Sequence, residues 1–300
     1  MDQTNKDKIF IAEKEIFILG LNRSGQHGVM AWITGMLDQV ILKNDMLKHQ
    51  LYESSFEPYF NYYQNYMSSH AILMSVSPIR QREIDAIIFG GENHTPYEFA
   101  KWYKNRFSRY RKNKIRRMFG GSDASVALSK ERYFITVLRS PYNHAASALK
   151  WKKFTYHPIN DPRIFIPWWK EYAKEHLGIT NYMSDLPGKH IYINYDRWFS
   201  EEAYRREIAA ELGLEYNENK LNTIMRAGRG SSFGKQRYNG KAQLMPVSDR
   251  WKFFMGGKQK YKKRYLMLLK DDELIELSEK IFGPMPEEIK NEICDRPISA

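Results

Sequence analysis

Residues 16–28 read Ile-Phe-Ile-Leu-Gly-Leu-Asn-Arg-Ser-Gly-Gln-His-Gly, an apolar run that enters a loop containing three glycines. Residues 29–42 follow with helical character, so the sequence predicts a strand, a turn and a helix N-terminus in succession. Unpaired N–H groups in a first helical turn, together with the helix dipole, favour an anion there. We expect the loop to bind a phosphate or sulfate ester, although many similar turns in α/β proteins bind nothing.

A second strand and turn occur much later in the chain. Residues 133–138 are apolar, β-branched and aromatic, they end at Arg139, and helical periodicity follows over residues 143–153. Ser147 lies eight positions after Arg139, in the first turns of that helix, so the two side chains can close on one anion. For either residue alone, an ordinary ion pair or an incidental serine is the simpler interpretation.

The rest of the chain alternates strands with helices. Strands are predicted over about residues 15–20, 85–89, 133–138 and 190–194, and helices over about 29–42, 97–118, 143–153, 167–183 and 201–212, with irregular and helical material over 46–82. This alternation predicts an α/β fold with helices on both faces of a parallel sheet. Gly20, Gly90, Arg139 and Tyr195 each follow a strand, which places them at the carboxyl edge, where such sheets bind ligands.

Composition limits the class of protein. The 300 residues, 42% of them hydrophobic, suffice for one α/β domain, and no low-complexity linker divides residues 1–300. Residues 1–8 are polar and no segment has the length of a membrane span, so we expect a cytoplasmic protein without a membrane partner. The single cysteine, Cys294, excludes an internal disulfide, and the eight histidines show no paired metal-binding spacing, so no metal site is expected.

The net charge of +12 favours an anionic partner. Much of the excess lies in residues 101–117, where Lys and Arg alternate with aromatic side chains. Such a stretch can bind single-stranded nucleic acid by stacking and phosphate pairing. The apolar residues also fall near helical spacing, which favours an amphipathic helix with a solvated basic face. We therefore regard a nucleic-acid partner as the weaker interpretation.

Five motifs in order along residues 14–255 resemble those of sulfotransferases that use 3′-phosphoadenosine 5′-phosphosulfate (PAPS). They are residues 22–27, the pair Arg139 and Ser147, residues 191–198 with the helix after them, residues 230–233 and residues 250–252. The resemblance, weak between about 45 and 130, implies a three-layer, P-loop-like sulfotransferase architecture. The nucleotide-binding core would comprise about 14–44 and 130–255, and an acceptor-side insert about 45–130.

The resemblance also implies roles for individual residues. Nucleotide contacts are expected from Arg23, Ser24, Gly25, Gln26, His27, Gly28, Arg139, Ser147, Tyr195, Ser232, Phe233, Arg250, Trp251 and Lys252. Many cytosolic members have a tryptophan at position 28 that stacks on adenine, and since Gly28 cannot stack, Phe233 is expected to do so. Their late Arg-Lys-Gly triplet is absent here, and Arg250 and Lys252 are expected to replace it.

The implied reaction moves a sulfuryl group in line, without a metal, to a hydroxyl or amine of a small-molecule or carbohydrate acceptor. The product nucleotide is 3′,5′-adenosine bisphosphate (PAP). The acceptor must lose a proton, and the family uses a His or a Glu as base. Among His94, Glu92 and His27 we rank His94 first, because an unperturbed imidazole titrates near neutral pH. Arg23 is expected to contact the bridging oxygen.

Two other functions remain open at the level of sequence. A nucleotide-dependent kinase requires Gly, four residues and then Gly-Lys-Ser/Thr in its phosphate loop. This chain has Gly20, four residues and Gly25, but Gln26 and His27 follow, so both chemical residues are missing. The second alternative is a basic nucleic-acid-binding protein on a transferase fold, suggested by residues 101–117.

Overall fold

The computed structural model describes residues 9–43, 84–92, 94–107, 126–151, 158–225 and 231–294. At its centre is a five-stranded sheet in the order β2-β3-β1-β4-β5, in which every neighbouring pair is parallel. The strands are β1 (Ile9–Gly20), β2 (Val40–Lys43), β3 (Ile84–Glu92), β4 (Val126–Leu138) and β5 (Lys189–Asn194). The α/β class and the parallel sheet predicted from the sequence are therefore confirmed.

Helices cover the sheet and extend beyond it. They are α1 (Gln26–Gly35), α2 (Pro96–Trp102), α3 (Pro141–Trp151), α4 (Pro162–His176), α5 (Tyr195–Ser200), α6 (Glu202–Glu211), α7 (Lys252–Met255), α8 (Gln259–Met267), α9 (Asp272–Phe282) and α10 (Glu287–Cys294). A π-helical turn, Tyr103–Phe107, continues α2, and short 3-10 turns occupy Pro158–Asn160 and Ala242–Leu244. Within the described ranges, no helix combines the length and apolar character needed to cross a membrane.

The side chains of β1 alternate between two apolar layers. Ile16 and Ile18 belong to a buried cluster with residues of α1 and α6. Phe17 points to the opposite face, where it stacks on Phe89 and Phe134 with ring centroids 4.8 and 5.2 Å away. A third cluster joins α3, α4 and the C-terminal helices. Helices on both faces of a parallel sheet give an arrangement compatible with a three-layer fold.

The strand order creates a crevice between β1 and β4. These strands are neighbours, with Gly20 opposite Val137. The chain leaves β1 toward β2 at one edge of the sheet and leaves β4 toward β5 at the other. Because the two connections run in opposite directions, the carboxyl ends of β1 and β4 form a topological switch point, where open α/β sheets bind ligands.

The prediction of the first helix is wrong at its C-terminal end. The helix was expected over residues 29–42, but α1 ends at Gly35, and residues 40–43 form the edge strand β2. A short apolar run is compatible with either state by periodicity alone. Tertiary contacts favour the strand here, because the backbone N–H groups of Asp38 and Gln39 donate to Asp85 Oδ2 at 2.8 and 3.0 Å.

The helix expected over residues 167–183 is also displaced. It begins at Pro162, because Asp161 caps it by accepting the Arg163 N–H at 3.0 Å and proline is tolerated at a first helical position. It ends at His176, and Glu175 then accepts the backbone N–H of Met183 at 2.9 Å. The residues between form a turn that this buried carboxylate stabilises.

The basic stretch is described only as far as residue 107. Over residues 101–107, Tyr103 is buried against Phe17 and Phe134, whereas Lys101 is exposed and Lys104 pairs with Asp185 at 3.1 Å. This is the pattern of an amphipathic helix packed on the sheet. The remainder of the predicted basic helix, and the predicted material over 46–82, lie outside the described residues.

Candidate anion-binding site

The loop between β1 and α1 is shaped by two residues with left-handed backbone. Arg23 has φ of 73° and Gly25 has φ of 101°. A Cβ atom at Gly25 would collide with the ring of Tyr195, so only glycine fits there. The first turn of α1 has no acidic residue, and no described side chain caps its N-terminus. The positive end of this helix is therefore turned toward the crevice without a carboxylate cap.

A cleft lies over this loop at the switch point. It encloses about 740 Å³, part of which is open to solvent. The predicted site residues that line it are Arg23, Gly25, Gln26, His27, Gly28, Glu92, Arg139, Tyr195 and Arg250. The predicted residues that do not line it are Ser24, His94, Ser147, Ser232, Phe233, Trp251 and Lys252. The loop after β1 and Arg139, more than 100 positions apart in the chain, thus face one cavity.

Ser147 holds two arginines together beneath the cleft. Its Oγ accepts from Arg139 Nη1 at 2.9 Å and from Arg250 Nη1 at 2.8 Å. Arg139 Nη2 also donates to the Val247 carbonyl at 2.6 Å, and Arg250 Nη2 donates to Ser231 Oγ at 3.1 Å. Arg139 and Ser147, which were predicted to lie close enough to share one anion, therefore contact each other directly. Ser231, which lies in the predicted motif 230–233 but was not among the predicted contact residues, completes the network.

The buried guanidinium groups of Arg139 and Arg250 and the partly buried one of Arg23 meet here. Burial lowers the pKa of Arg23 to about 10 and that of Arg250 to about 9, and Arg139 adds repulsion to both. Burial also lowers the pKa of Arg139. Glu92 and Asp196 oppose these shifts, but among the residues that the structure describes these two carboxylates do not neutralise three cations. Because guanidinium groups stay protonated near neutral pH, the cleft carries excess positive charge that an anion would neutralise.

Several polar atoms around the loop are buried without a hydrogen-bond partner in the described part of the chain. They include Asn22 Oδ1, Ser24 Oγ, both amide atoms of Gln26, His27 Nε2 and Arg139 Nε. An unsatisfied buried polar atom costs about 1–3 kcal/mol, so such a concentration calls for an explanation. The hydroxyl, amide and guanidinium donors among them suit a ligand with several acceptor oxygens, such as a phosphate or sulfate ester.

Tyr195 and Asp196 connect the end of β5 to the loop. The Tyr195 ring packs against Gly25, and the centroid of this ring lies 5.3 Å from the Arg139 guanidinium carbon. Asp196 Oδ2 accepts the Ser140 N–H at 2.7 Å, which fixes the turn that follows Arg139. Asp196 belongs to the motif 191–198 but was not among the predicted site residues. Its position directly after a strand and next to the predicted Tyr195 is the sequence feature that could have indicated its role.

The three base candidates occupy different positions. Glu92 lines the cleft at the end of β3, where its oxygens contact Asn22 Nδ2 at 2.9 Å and His27 Nδ1 at 3.3 Å. His27 lines the cleft as well. His94 is 6% exposed and does not line it, and its carbonyl accepts from the Tyr172 hydroxyl at 2.7 Å. The geometry therefore favours Glu92 over His94.

The aromatic wall of the cleft comes from α5. Trp198 lines the cavity, and its ring would approach a Cβ at Gly28 to 3.3 Å. The Phe233 ring instead lies 5.2 Å from the Arg250 guanidinium carbon and 5.7 Å from the Phe253 ring. Further apolar lining, also unpredicted, comes from Phe199, Leu221, Ile224, Met225, Ala242 and Met245. Because Gly28 has no side chain, the Trp198 ring can occupy the space next to it.

The remaining predicted residues surround the network. Ser232 lies beside Ser231, and its Oγ is buried without a hydrogen-bond partner among the described residues. Trp251 is buried in the helical cluster. Lys252 is half exposed and pairs with Asp249 at 3.1 Å. Among the late basic residues, Arg250 therefore faces the cleft and Lys252 does not.

His144 on α3 supports the loop from below. It is fully buried, and its Nε2 lies 2.8 Å from the Asn22 carbonyl oxygen. Because a carbonyl only accepts, Nε2 carries the proton. Burial lowers the pKa of His144 to about 3, and burial does the same for His176 on α4. Both rings are neutral at ordinary pH.

These two histidines predict acid sensitivity. Between pH 3 and 6.5 the unfolded chain binds more protons than the folded protein, so stability falls as pH drops through 6.5. At pH 5 the loss is about 2 kcal/mol for each histidine. Urea unfolding at pH 7 and pH 5 should show that His176→Gln loses about 2 kcal/mol less than wild type. Equal losses in both proteins would contradict the neutral buried state.

No known family model matches the chain, and no curated protein matches it. The function is therefore inferred from the cleft and its residues.

Proposed function

We propose that this protein is a PAPS-dependent sulfotransferase. The observation that carries the proposal is the meeting of two anion-binding elements in one cleft: the loop after β1 with Arg23, and the buried pair Arg139 and Arg250 joined by Ser147. A single phosphate needs only one such element. Two elements in one cavity suit a nucleotide that is phosphorylated at both ends.

The residues of the cleft match the parts of such a nucleotide. The loop and the N-terminus of α1 would hold the 5′-phosphosulfate through backbone N–H groups and Arg23. Arg139 and Arg250 would hold the 3′-phosphate, with charge-assisted hydrogen bonds at a buried site. The wall formed by Trp198 and Phe199 offers apolar contact to adenine. This arrangement supports a P-loop-like architecture, with the loop after the central strand β1 at the switch point.

The chain's own residues account for in-line transfer. PAPS supplies an activated sulfuryl group attached to a phosphate leaving group. Arg23 and the loop amides stabilise negative charge that develops on that leaving group. Glu92 accepts the proton of the acceptor hydroxyl or amine, and Asn22 and His27 orient its carboxylate. The acceptor would be a small molecule or a carbohydrate, and these roles require no metal ligand.

Substrate turnover distinguishes this proposal from a kinase. A P-loop kinase needs a Lys to reach the terminal phosphates and a Ser or Thr to hold magnesium, and this loop has Gln26 and His27 there. We expect PAP release from PAPS, in a chelator and with a panel of hydroxyl and amine acceptors. We expect no ATP turnover with magnesium. Turnover of ATP alone would reject the sulfotransferase proposal.

A further inference from the structure

Asn22 lies where three elements of the site meet. It follows β1 by two residues and is 7% exposed. Its backbone carbonyl accepts a hydrogen bond from His144 on α3 at 2.8 Å, and its side-chain amide donates to Glu92 Oε2 at the end of β3 at 2.9 Å. One residue therefore links the supporting helix, the phosphate loop and the base.

We propose that Asn22 is a positioning residue: held by His144, it fixes the start of the phosphate loop and orients the carboxylate of Glu92. This inference rests on the sulfotransferase proposed above. It concerns how the chain arranges its base and its loop, and Asn22 itself need not touch the reacting atoms.

The backbone of the loop explains the need for an anchor. Arg23, immediately after Asn22, has φ of 73°, a conformation that is unfavourable for a residue with a side chain. The hydrogen bond from His144 fixes the Asn22 carbonyl, and so the peptide plane that precedes this strained residue. His144 is suited to the task because its neutral ring donates without adding a further cation beside Arg23 and Arg139.

The side chain of Asn22 acts on Glu92. The amide contacts Oε2, while His27 Nδ1 contacts Oε1 at 3.3 Å, so the carboxylate has a neighbour on each oxygen. Arg23 and Tyr172 also act on Glu92 electrostatically. The neutral amide at position 22 orients the Glu92 carboxylate and leaves the net charge of the site unchanged. A carboxylate or an amine at position 22 would change that charge.

Asn22→Asp tests the link to the base. The variant keeps the size of the side chain but places a second carboxylate beside Glu92, and adjacent like charges disfavour ionisation. We expect the acidic limb of the kcat profile to move upward by about one pH unit. Turnover would be measured as PAP release from PAPS with water as acceptor, in which a water oxygen bonds to sulfur, the bridging S–O bond breaks and Glu92 takes the proton.

The control for this variant is Asn181→Asp, which adds the same charge at an exposed position in the turn between α4 and β5, away from the carboxyl edge. Its profile should superimpose on that of the wild type. If the pH profile of kcat in Asn22→Asp also matched that of the wild type, the positioning role would be overturned. If the wild type turns over no PAPS with water or with any acceptor of the panel described above, the sulfotransferase proposal itself fails, and this inference fails with it.

A binding measurement tests the anchor without turnover. His144→Phe removes the donor to the Asn22 carbonyl, whereas His144→Gln retains an N–H donor. We expect PAP affinity, measured by calorimetry, to fall about 2- to 12-fold in the first variant, the cost of one hydrogen bond, and to stay near wild type in the second. Equal affinity in all three proteins would overturn the anchoring role. If His144→Phe does not fold, the pH profile of Asn22→Asp decides the proposal.

Discussion

Replacement of Arg250 by methionine is expected to weaken PAP binding about 10- to 150-fold, because a hydrogen bond to a charged group contributes about 1.5–3 kcal/mol. The ligand-free protein should be at least as stable as wild type. Arg250 is 7% exposed and repelled by Arg139, so an apolar side chain of similar length relieves the cost of burying a charge. Arg250 is a cleaner probe than Arg139, which also holds the Val247 carbonyl.

Calorimetry with PAP and thermal unfolding without ligand measure the two effects. Arg206→Met provides a matched control, since it removes the same charge from the exposed face of α6, where Arg206 pairs with Glu202 at 2.6 Å. The control should bind PAP as the wild type does. Unchanged affinity in Arg250→Met would remove Arg250 from the nucleotide site, and a large loss of unfolding temperature would show that the arginine is structural.

Glu92→Gln is expected to lower the turnover of PAPS by about 10²- to 10⁴-fold, the usual contribution of a general base. Glutamine matches the size of glutamate and can still accept from Asn22, but it cannot take the acceptor's proton. PAP affinity should be kept or increased, because the change removes a carboxylate that acts on Arg23. Loss of rate with retained binding is the signature of a residue that acts in the chemical step.

His94→Gln is the informative companion, measured under the same conditions. The His94 side chain does not line the cleft, so this variant should keep its turnover. The reverse pattern, an active Glu92→Gln and an inactive His94→Gln that still binds PAP, would assign the base to His94. If both variants turn over normally, the base lies elsewhere.

Local sequence signals predicted the parts of the site that follow strands. An apolar run ending at a glycine loop or an arginine places that group at the carboxyl edge of a parallel sheet, whichever strands pair. Arg139 and Ser147 are eight positions apart, so one strand, turn and helix bring them together. Local patterns of this kind also predict the α/β class of the fold, but they do not predict the order of the strands in the sheet.

Contacts between distant segments could not be read in this way. The placement of β1 beside β4, which creates the crevice, depends on packing across the whole sheet. The sequence led us to expect Phe233 as the stacking residue, but Trp198 lines the cleft and Phe233 does not, because the absence of a side chain at Gly28 leaves room for the Trp198 ring. The edge strand β2 was mistaken for helix because its hydrogen-bonding partner, β3, lies more than 40 positions away.

Calorimetric titration of the wild-type protein with PAP, 5′-AMP and adenosine 3′-phosphate tests most directly whether one doubly phosphorylated adenosine spans the cleft. Each phosphate should add at least one charge-assisted hydrogen bond, so PAP should bind about tenfold or more tightly than either monophosphate. Binding of PAP no tighter than that of the better monophosphate, or no binding of PAP at all, would contradict the account.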